Sequence, residues 1–167
     1  ENPSPRQTLS YIKGLLHSRR LIPKNKMGQN FLIDLNLVDL VVRAAELTKD
    51  DCVLEVGTGT GSLTTRMAQE AGAVFTVELD REFYEMANQL LAAWSNVRQL
   101  QGDALATKNE LNPQMLAGWK DFAKEKGTTK KKLVANLPYA IATPLVANLL
   151  LLSLIHISEP TRLRRIS

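Results

Sequence analysis

The run Cys52-Val53-Leu54-Glu55-Val56-Gly57-Thr58-Gly59-Thr60-Gly61 (CVLEVGTGTG) decides the fold. Its first half is a short, β-branched apolar stretch of the kind buried on both faces of a parallel sheet, and it enters a glycine-rich turn directly. Without Cβ atoms, that turn can bend sharply and let a ligand approach the backbone. Outward from it, strands and helices alternate. A helix is expected from Ser62 to about Glu70, a strand over Ala73 to Glu78, a helix from Arg81 to about Trp94, and a strand over Val97 to Gln101 closed by Gly102-Asp103. Upstream, Asp34 is placed to N-cap a helix carrying Leu37, Leu40, Val41, Ala44 and Ala45 at helical spacing and ending near Thr48. Downstream, residues 104–132 hold Pro113, Gly118 and Gly127 among polar side chains and read as a partly helical connection ending in an exposed basic loop. A fourth strand (Leu133 to Ala135), a turn at Pro138 and a fourth helix (Thr143 to Leu151) follow. The fold class is therefore α/β: an open parallel sheet covered by helices, with ligands bound beyond the carboxyl ends of the strands.

A chain of 167 residues, 44% apolar and 23% charged, is long enough to bury the core of one globular domain. The lone cysteine, Cys52, excludes an internal disulfide framework and fits a reducing compartment. His17 and His156 show no ligand spacing, so no metal is expected. The polar, basic first stretch lacks the apolar centre of a secretory signal, and a cytoplasmic location is expected. Leu133 to Ser158 contains no charged residue, yet Asn136, Pro138, Pro144 and Asn148 interrupt it, which argues against a membrane span.

The formal charge of +4 is unevenly spread. Residues 1–26 carry +5, residues 27–119 carry −7, and residues 120–132 carry +4. Two basic patches thus flank an acidic middle, either to attract a polyanion or as a solvated arm and loop.

Each expected strand ends in a residue suited to a ligand. Glu55 leads into Gly57, Gly59 and Gly61. Glu78 lies 21 residues after Gly57, where a carboxylate can accept both hydroxyls of a ribose. Asp103 could accept from an adenine amino group, or be a turn or capping Asp. The spacing G-x-G-x-G departs from the dinucleotide pattern, and no Gly-Lys-Ser/Thr follows to cradle a polyphosphate. An acid ahead of the glycines is typical of S-adenosylmethionine sites, so the cofactor expected is an adenosine with an amino-acid tail.

The fourth strand runs into Asn136-Leu137-Pro138-Tyr139. The exocyclic amino group of a base is a poor nucleophile because its lone pair is delocalised into the ring. An amide oxygen from Asn136 and a nearby backbone carbonyl can accept its two protons and favour a pyramidal nitrogen. Pro138 fixes the turn, and Tyr139 offers a flat face to an extruded base. Alone, the tetrapeptide also fits an Asx-Pro loop with a half-buried Tyr.

Together, KNKMGQNFLID (Lys24 to Asp34), VLEVGTGTGSLT (Val53 to Thr64), VELD (Val77 to Asp80), GDAL (Gly102 to Leu105) and NLPYAIATPL (Asn136 to Leu145) resemble the motifs of the ribosomal RNA adenine dimethyltransferases of the KsgA type. The resemblance covers about residues 5–151. It implies a Rossmann-like S-adenosylmethionine-dependent methyltransferase fold and N6,N6-dimethylation of adenine in small-subunit ribosomal RNA, by a monomer acting on that RNA or a subunit precursor. It further implies that Gln29, Asn30 and Leu32 close over the methionine end of the cofactor. Gly57, Glu78 and Asp103 would hold its methionine, ribose and adenine parts, and Asn136 and Tyr139 the target adenine. Gly57-Thr58-Gly59 departs from the Gly-Pro-Gly common in the family. The stretch from Asn109 to Lys132 is long for its place, a basic loop near RNA or a solvated insertion. Alternatives are a large-subunit adenine methyltransferase of the antibiotic-resistance type, and a non-catalytic RNA-binding or ribosome-assembly protein of the same fold.

Leu152 to Arg162 (LSLIHISEPTR) resembles a translated sequencing adapter. The expected division is therefore a basic arm over residues 1–26, the N-terminal part of a catalytic domain over 27–151, and a non-native tail over 152–167. On that reading the parallel sheet is incomplete, with C-terminal strands and a helical domain missing, and the fragment alone is weakly active or inactive.

Overall fold

A computed structural model describes residues 35–135 and 139–155. In chain order the elements are α1 (Leu35–Ala45), β1 (Asp51–Val56), α2 (Ser62–Glu70), β2 (Ala73–Glu78), α3 (Arg81–Leu91), β3 (Val97–Gln101), β4 (Leu105–Thr107), β5 (Glu110–Leu111), α4 (Pro113–Glu125), β6 (Lys130–Ala135) and α5 (Tyr139–Ile155). Strands β3-β2-β1-β6 form one sheet, parallel throughout, while β4 and β5 make a small antiparallel ribbon.

Strand β1 is buried at every residue. Its alternation divides the core. Cys52, Leu54 and Val56 join Phe75 and Val77 of β2 under Met115, Trp119 and Phe122 of α4 and Leu145 and Leu149 of α5. On the opposite face, Val53 and Val74 pack with Val38 and Val42 of α1 and Leu63 and Met67 of α2. Helix α3 starts on Asp80, whose carboxylate accepts from the Glu82 and Phe83 amides, and packs on β3 and β2. At Gly118, where α4 crosses β2, a Cβ would sit 2.7 Å from the Phe75 ring, so only glycine permits that approach.

The stretch over residues 104–132 is partly helical, as expected, but Lys130 to Lys132 at its end are not the expected exposed basic loop. After the ribbon, α4 is a regular crossover helix with Met115, Trp119, Phe122 and Ala123 buried, hence part of the core and not a solvated insertion. Lys130, Lys131 and Lys132 are not a loop; they begin β6, paired with Asp51, Cys52 and Val53 of β1. A lysine stem can lie along a sheet while its ammonium reaches a partner at the edge. Lys132 does so. Its ammonium is 3.1 Å from the fully buried Asp51 carboxylate and donates to the Ala45 and Glu46 carbonyls at the end of α1. Lys130 pairs with the exposed Asp50 at 3.5 Å. Of the second basic patch, Lys132 is therefore neutralised inside the fold and Lys130 at its surface.

Two helix boundaries also move. Helix α1 stops at Ala45 because Glu46 turns left-handed (φ 47°). Helix α5 begins at Tyr139 and contains Pro144, so Tyr139 opens a helix and does not end a loop. Among the described residues, no helix is long and apolar enough to cross a membrane and no acid, His or Cys cluster could hold a metal. Asp34, the arm over 1–26, Gln29, Asn30, Leu32, Asn136, Pro138 and the tail over 156–167 lie outside the described residues.

Lys132→Met should cost about 3–5 kcal/mol, because it leaves Asp51 buried without its counter-charge. Lys130→Met removes an exposed pair and should cost no more than about 1 kcal/mol. Urea denaturation of both variants measures the contrast.

Candidate functional site

Parallel pairing brings the strand ends to one edge. Val56 pairs with Val77 and Ala135, and Glu78 pairs with Gln101, so β6 ends beside β1, and Gly57, Leu79 and Gly102 all follow at that edge. The chain leaves β1 through three glycines with positive φ: 89° at Gly57, 54° at Gly59 and 79° at Gly61. An L-residue with a side chain rarely adopts these angles. Gly57 stays attached to β2 by donating to the Val77 carbonyl at 2.8 Å, and Gly61 closes the turn by donating to the Thr58 carbonyl at 2.9 Å. Gly61 also precedes α2 with no side-chain cap, and a Cβ there would press on Leu90 of α3 at 3.1 Å.

Glu78 stands at the mouth of this loop. One carboxylate oxygen accepts from the Gly59 amide at 2.8 Å and the other from the Asp80 amide at 2.9 Å. Burial pushes its pKa up, against the pull of those two amides. A carboxylate offers about four lone-pair directions, so each oxygen keeps capacity for a ligand hydroxyl. Next to it, Leu79 is 56% exposed and offers an apolar surface at the rim. The signal for Leu79 in the sequence was only its place after a strand-ending acid.

Glu55 sits under the loop and not at its opening. It is buried, and Oε2 accepts from the Thr64 hydroxyl of α2 at 2.6 Å. Its Oε1 has no partner among the described residues. Burial raises its pKa to about 8, opposed by hydrogen bonds from Thr64 and Thr76, so it is a neutral acid at pH 7. Thr58 fills the space beside it by sharing a 2.7 Å hydrogen bond with the Thr76 hydroxyl. The residue between the first two glycines thus ties the loop to β2, a role its position in the sequence did not announce.

Asp103 follows β3. Its Oδ1 accepts from the Leu105 amide at 2.9 Å, the local turn weighed in the sequence. Gly102 donates to the Glu78 carbonyl at 2.8 Å, which joins the Asp103 turn to the end of β2. The described residues therefore bring Gly57, Gly59, Gly61, Glu78 and Asp103 to one edge, with Glu55 beneath. These groups suit an adenosine-bearing ligand: bare backbone at the loop, a carboxylate to accept from hydroxyls and a second carboxylate to accept from an amino group.

The raised pKa of Glu55 sets a pH dependence with a definite sign. Below about pH 4.5, folded and unfolded chains both carry the proton. As pH climbs from there to about 8, the unfolded chain releases it and the folded chain keeps it, so stability falls across that window. Glu55→Gln should abolish this decline, its stability relative to the parent rising between pH 5 and pH 8. Chemical denaturation at both pH values measures it; equal slopes for the two proteins would place the Glu55 proton wrongly.

Comparison with known proteins gives this edge a context. The family model described as "Ribosomal RNA adenine dimethylase" matches residues 22–161, running past Leu151 into the stretch that resembles adapter. The chain is 42% identical over 141 residues to the ribosomal RNA small subunit methyltransferase A of Pelotomaculum thermopropionicum, covering 84% of this chain and 46% of that protein. It is 40% identical over 147 residues to the protein of the same name from Moorella thermoacetica, covering 88% and 48%. The chain thus spans about half the length of the curated relatives it matches. Among solved structures, the 23S rRNA methyltransferase ErmE is similar with a TM-score of 0.55 and 27% identity, over 71% of this chain and 42% of that one. A dimethyladenosine transferase from Plasmodium falciparum gives a TM-score of 0.53 and 26% identity, over 70% and 37%. With a family match across most of its length and two-fifths identity to these relatives, the chain belongs to the ribosomal RNA adenine dimethylase family.

Proposed function

We propose that the chain is the N-terminal part of an enzyme that transfers methyl groups from S-adenosylmethionine to the N6 amino group of adenine in small-subunit ribosomal RNA. The observation that carries the reading is the buried Glu78 carboxylate, tied to the Gly59 and Asp80 amides at the mouth of the glycine loop. Identity of 42% to a small-subunit enzyme, against 27% to ErmE, supports the small subunit as target.

When bound, S-adenosylmethionine supplies an electrophilic methyl group on a sulfonium. Glu78 accepts from the ribose hydroxyls, Asp103 accepts from the adenine amino group, and the backbone at Gly57 and Gly59 lies along the methionine part. Gly61 lets α2 start close to α3, and Glu55 supports the loop from below. Gln29, Asn30 and Leu32 close over the methionine end. At the end of β6, Asn136 accepts from the target amino group, Pro138 holds the turn and Tyr139 stacks on the base. Catalysis then rests on orientation and on hydrogen bonds that strengthen as the amino nitrogen becomes pyramidal. Residues 1–26 act as a basic arm toward RNA phosphates, residues 27–151 form the N-terminal part of the catalytic domain, and residues 152–167 are a non-native tail. The whole enzyme works as a cytoplasmic monomer on ribosomal RNA or a subunit precursor.

A chimera tests this: residues 1–151 joined to the C-terminal half of the Pelotomaculum relative, assayed on small ribosomal subunits lacking the modification. Two methyl groups should appear on each modified adenine. Asn136→Ala should lower turnover by about 10²–10³-fold, the scale of losing one positioned hydrogen-bonding group, with cofactor affinity nearly unchanged. Undiminished methylation by Asn136→Ala would refute the assigned chemistry.

A further inference from the structure

We infer that Asn112 is a positioning residue that holds the Asp103 turn in the geometry needed to read the adenine of the cofactor; this rests on the cofactor reading above. Asp103 is exposed, and its side chain accepts locally from the Leu105 amide. The turn leaves β3 at Gly102, anchored to the Glu78 carbonyl. Its other end depends on Asn112. The Asn112 amide donates to the Ala104 carbonyl at 2.9 Å, and its side-chain Nδ2 donates to the Asp103 carbonyl at 2.7 Å.

The same side chain caps α4. Oδ1 accepts from the Gln114 amide at 2.9 Å and the Met115 amide at 3.3 Å. One orientation of the amide satisfies both sides, because a flip would set NH₂ against two N–H donors and oxygen against a carbonyl. Capping alone does not require Asn: Asp and Ser cap as well, and neither offers a side-chain amide donor toward that carbonyl. The donor half of Asn112 is therefore spent on the Asp103 turn. Its anchor is stiff. Pro113 restricts Asn112 to extended backbone (φ −61°, ψ 117°), and α4 is fastened into the core through Met115, Trp119 and Phe122. Asn112 thus connects a helix packed into the core to the backbone of the one residue proposed to touch the adenine amino group.

A carboxylate held in place favours an amino group at that position over the keto oxygen of hypoxanthine. The experiment compares the 167-residue chain with Asn112→Asp and Asn112→Ser, both of which keep a cap. Titration calorimetry gives the affinities for S-adenosylhomocysteine and its inosyl analogue, and amide hydrogen exchange gives local protection. The parent should prefer the adenosyl ligand by about tenfold or more, the scale of one hydrogen bond to a charged group. In both variants that preference should shrink at least about fivefold, and protection of the Leu105 amide should fall by a similar factor, while Gln114 and Met115 keep theirs. Unchanged ligand preference together with unchanged Leu105 protection would overturn the inference. A parent chain that binds neither ligand would overturn the cofactor reading and the positioning role with it, even if Leu105 protection still depended on Asn112. Loss of protection at Gln114 and Met115 as well would make Asn112 a helix cap only.

Discussion

The hydrogen bond from the Gly59 amide to the Glu78 carboxylate joins the two strand ends on which the site is built. It exists because β1 and β2 run parallel with Val56 opposite Val77, so the loop leaving β1 and the acid ending β2 meet at the same edge. Glycine at position 59, with φ 54°, lets the amide turn toward that acid. Desolvation works against the charge on Glu78, and the amides of Gly59 and Asp80 offset only part of it. The carboxylate is thereby oriented before any ligand arrives, which lowers the ordering cost of binding. Thr58, Thr76, Thr64 and the neutral Glu55 form the polar layer below, and a loop held from beneath needs fewer contacts from the ligand.

The opposite edge of the sheet has a different electrostatic character. There Asp51 is matched by Lys132, Asp50 by Lys130, and Lys49 donates to the Gln69 and Ala71 carbonyls at the end of α2. Cations at helix C-termini and beside buried acids complement the helix dipole and stabilise the layering. The cost is availability: lysines used this way are poor counter-ions for a phosphate backbone. The exposed face of α4 is also balanced, with Lys120 and Lys124 beside Asp121 and Glu125.

Between Asp51 and Gln101 the sequence was legible because two periods coincide with strong punctuation. Buried strands such as AVFTVE are continuously apolar or β-branched, helices begin at Asp80 or after Gly61, and Gly72 separates elements. The carboxyl-edge residues could be read from the same pattern, since each follows a strand end. Residues 104–132 were harder for a physical reason. Met115, Trp119, Phe122 and Ala123 do recur at helical spacing, but Gly118 and the flanking Pro113 and Gly127 resemble breakers. Gly118 is there for the approach to Phe75 and Pro113 for the first helical turn, neither visible without the third dimension. The lysines of β6 looked solvated because their partners, Asp50 and Asp51, lie about eighty residues earlier. Asn112 was unreadable for the same reason, its two hydrogen-bonded halves facing different segments.

The central claim is that the carboxyl edge of β1, β2 and β3 receives an adenosine-bearing cofactor. The most direct measurement is a crystal structure of the chain with S-adenosylhomocysteine. The account predicts ribose hydroxyls within hydrogen-bonding distance of the Glu78 carboxylate, the adenine amino group at Asp103 and the amino-acid tail along Gly57 and Gly59. A ligand seated away from Glu78, or one whose ribose hydroxyls turn away from it, would contradict the account.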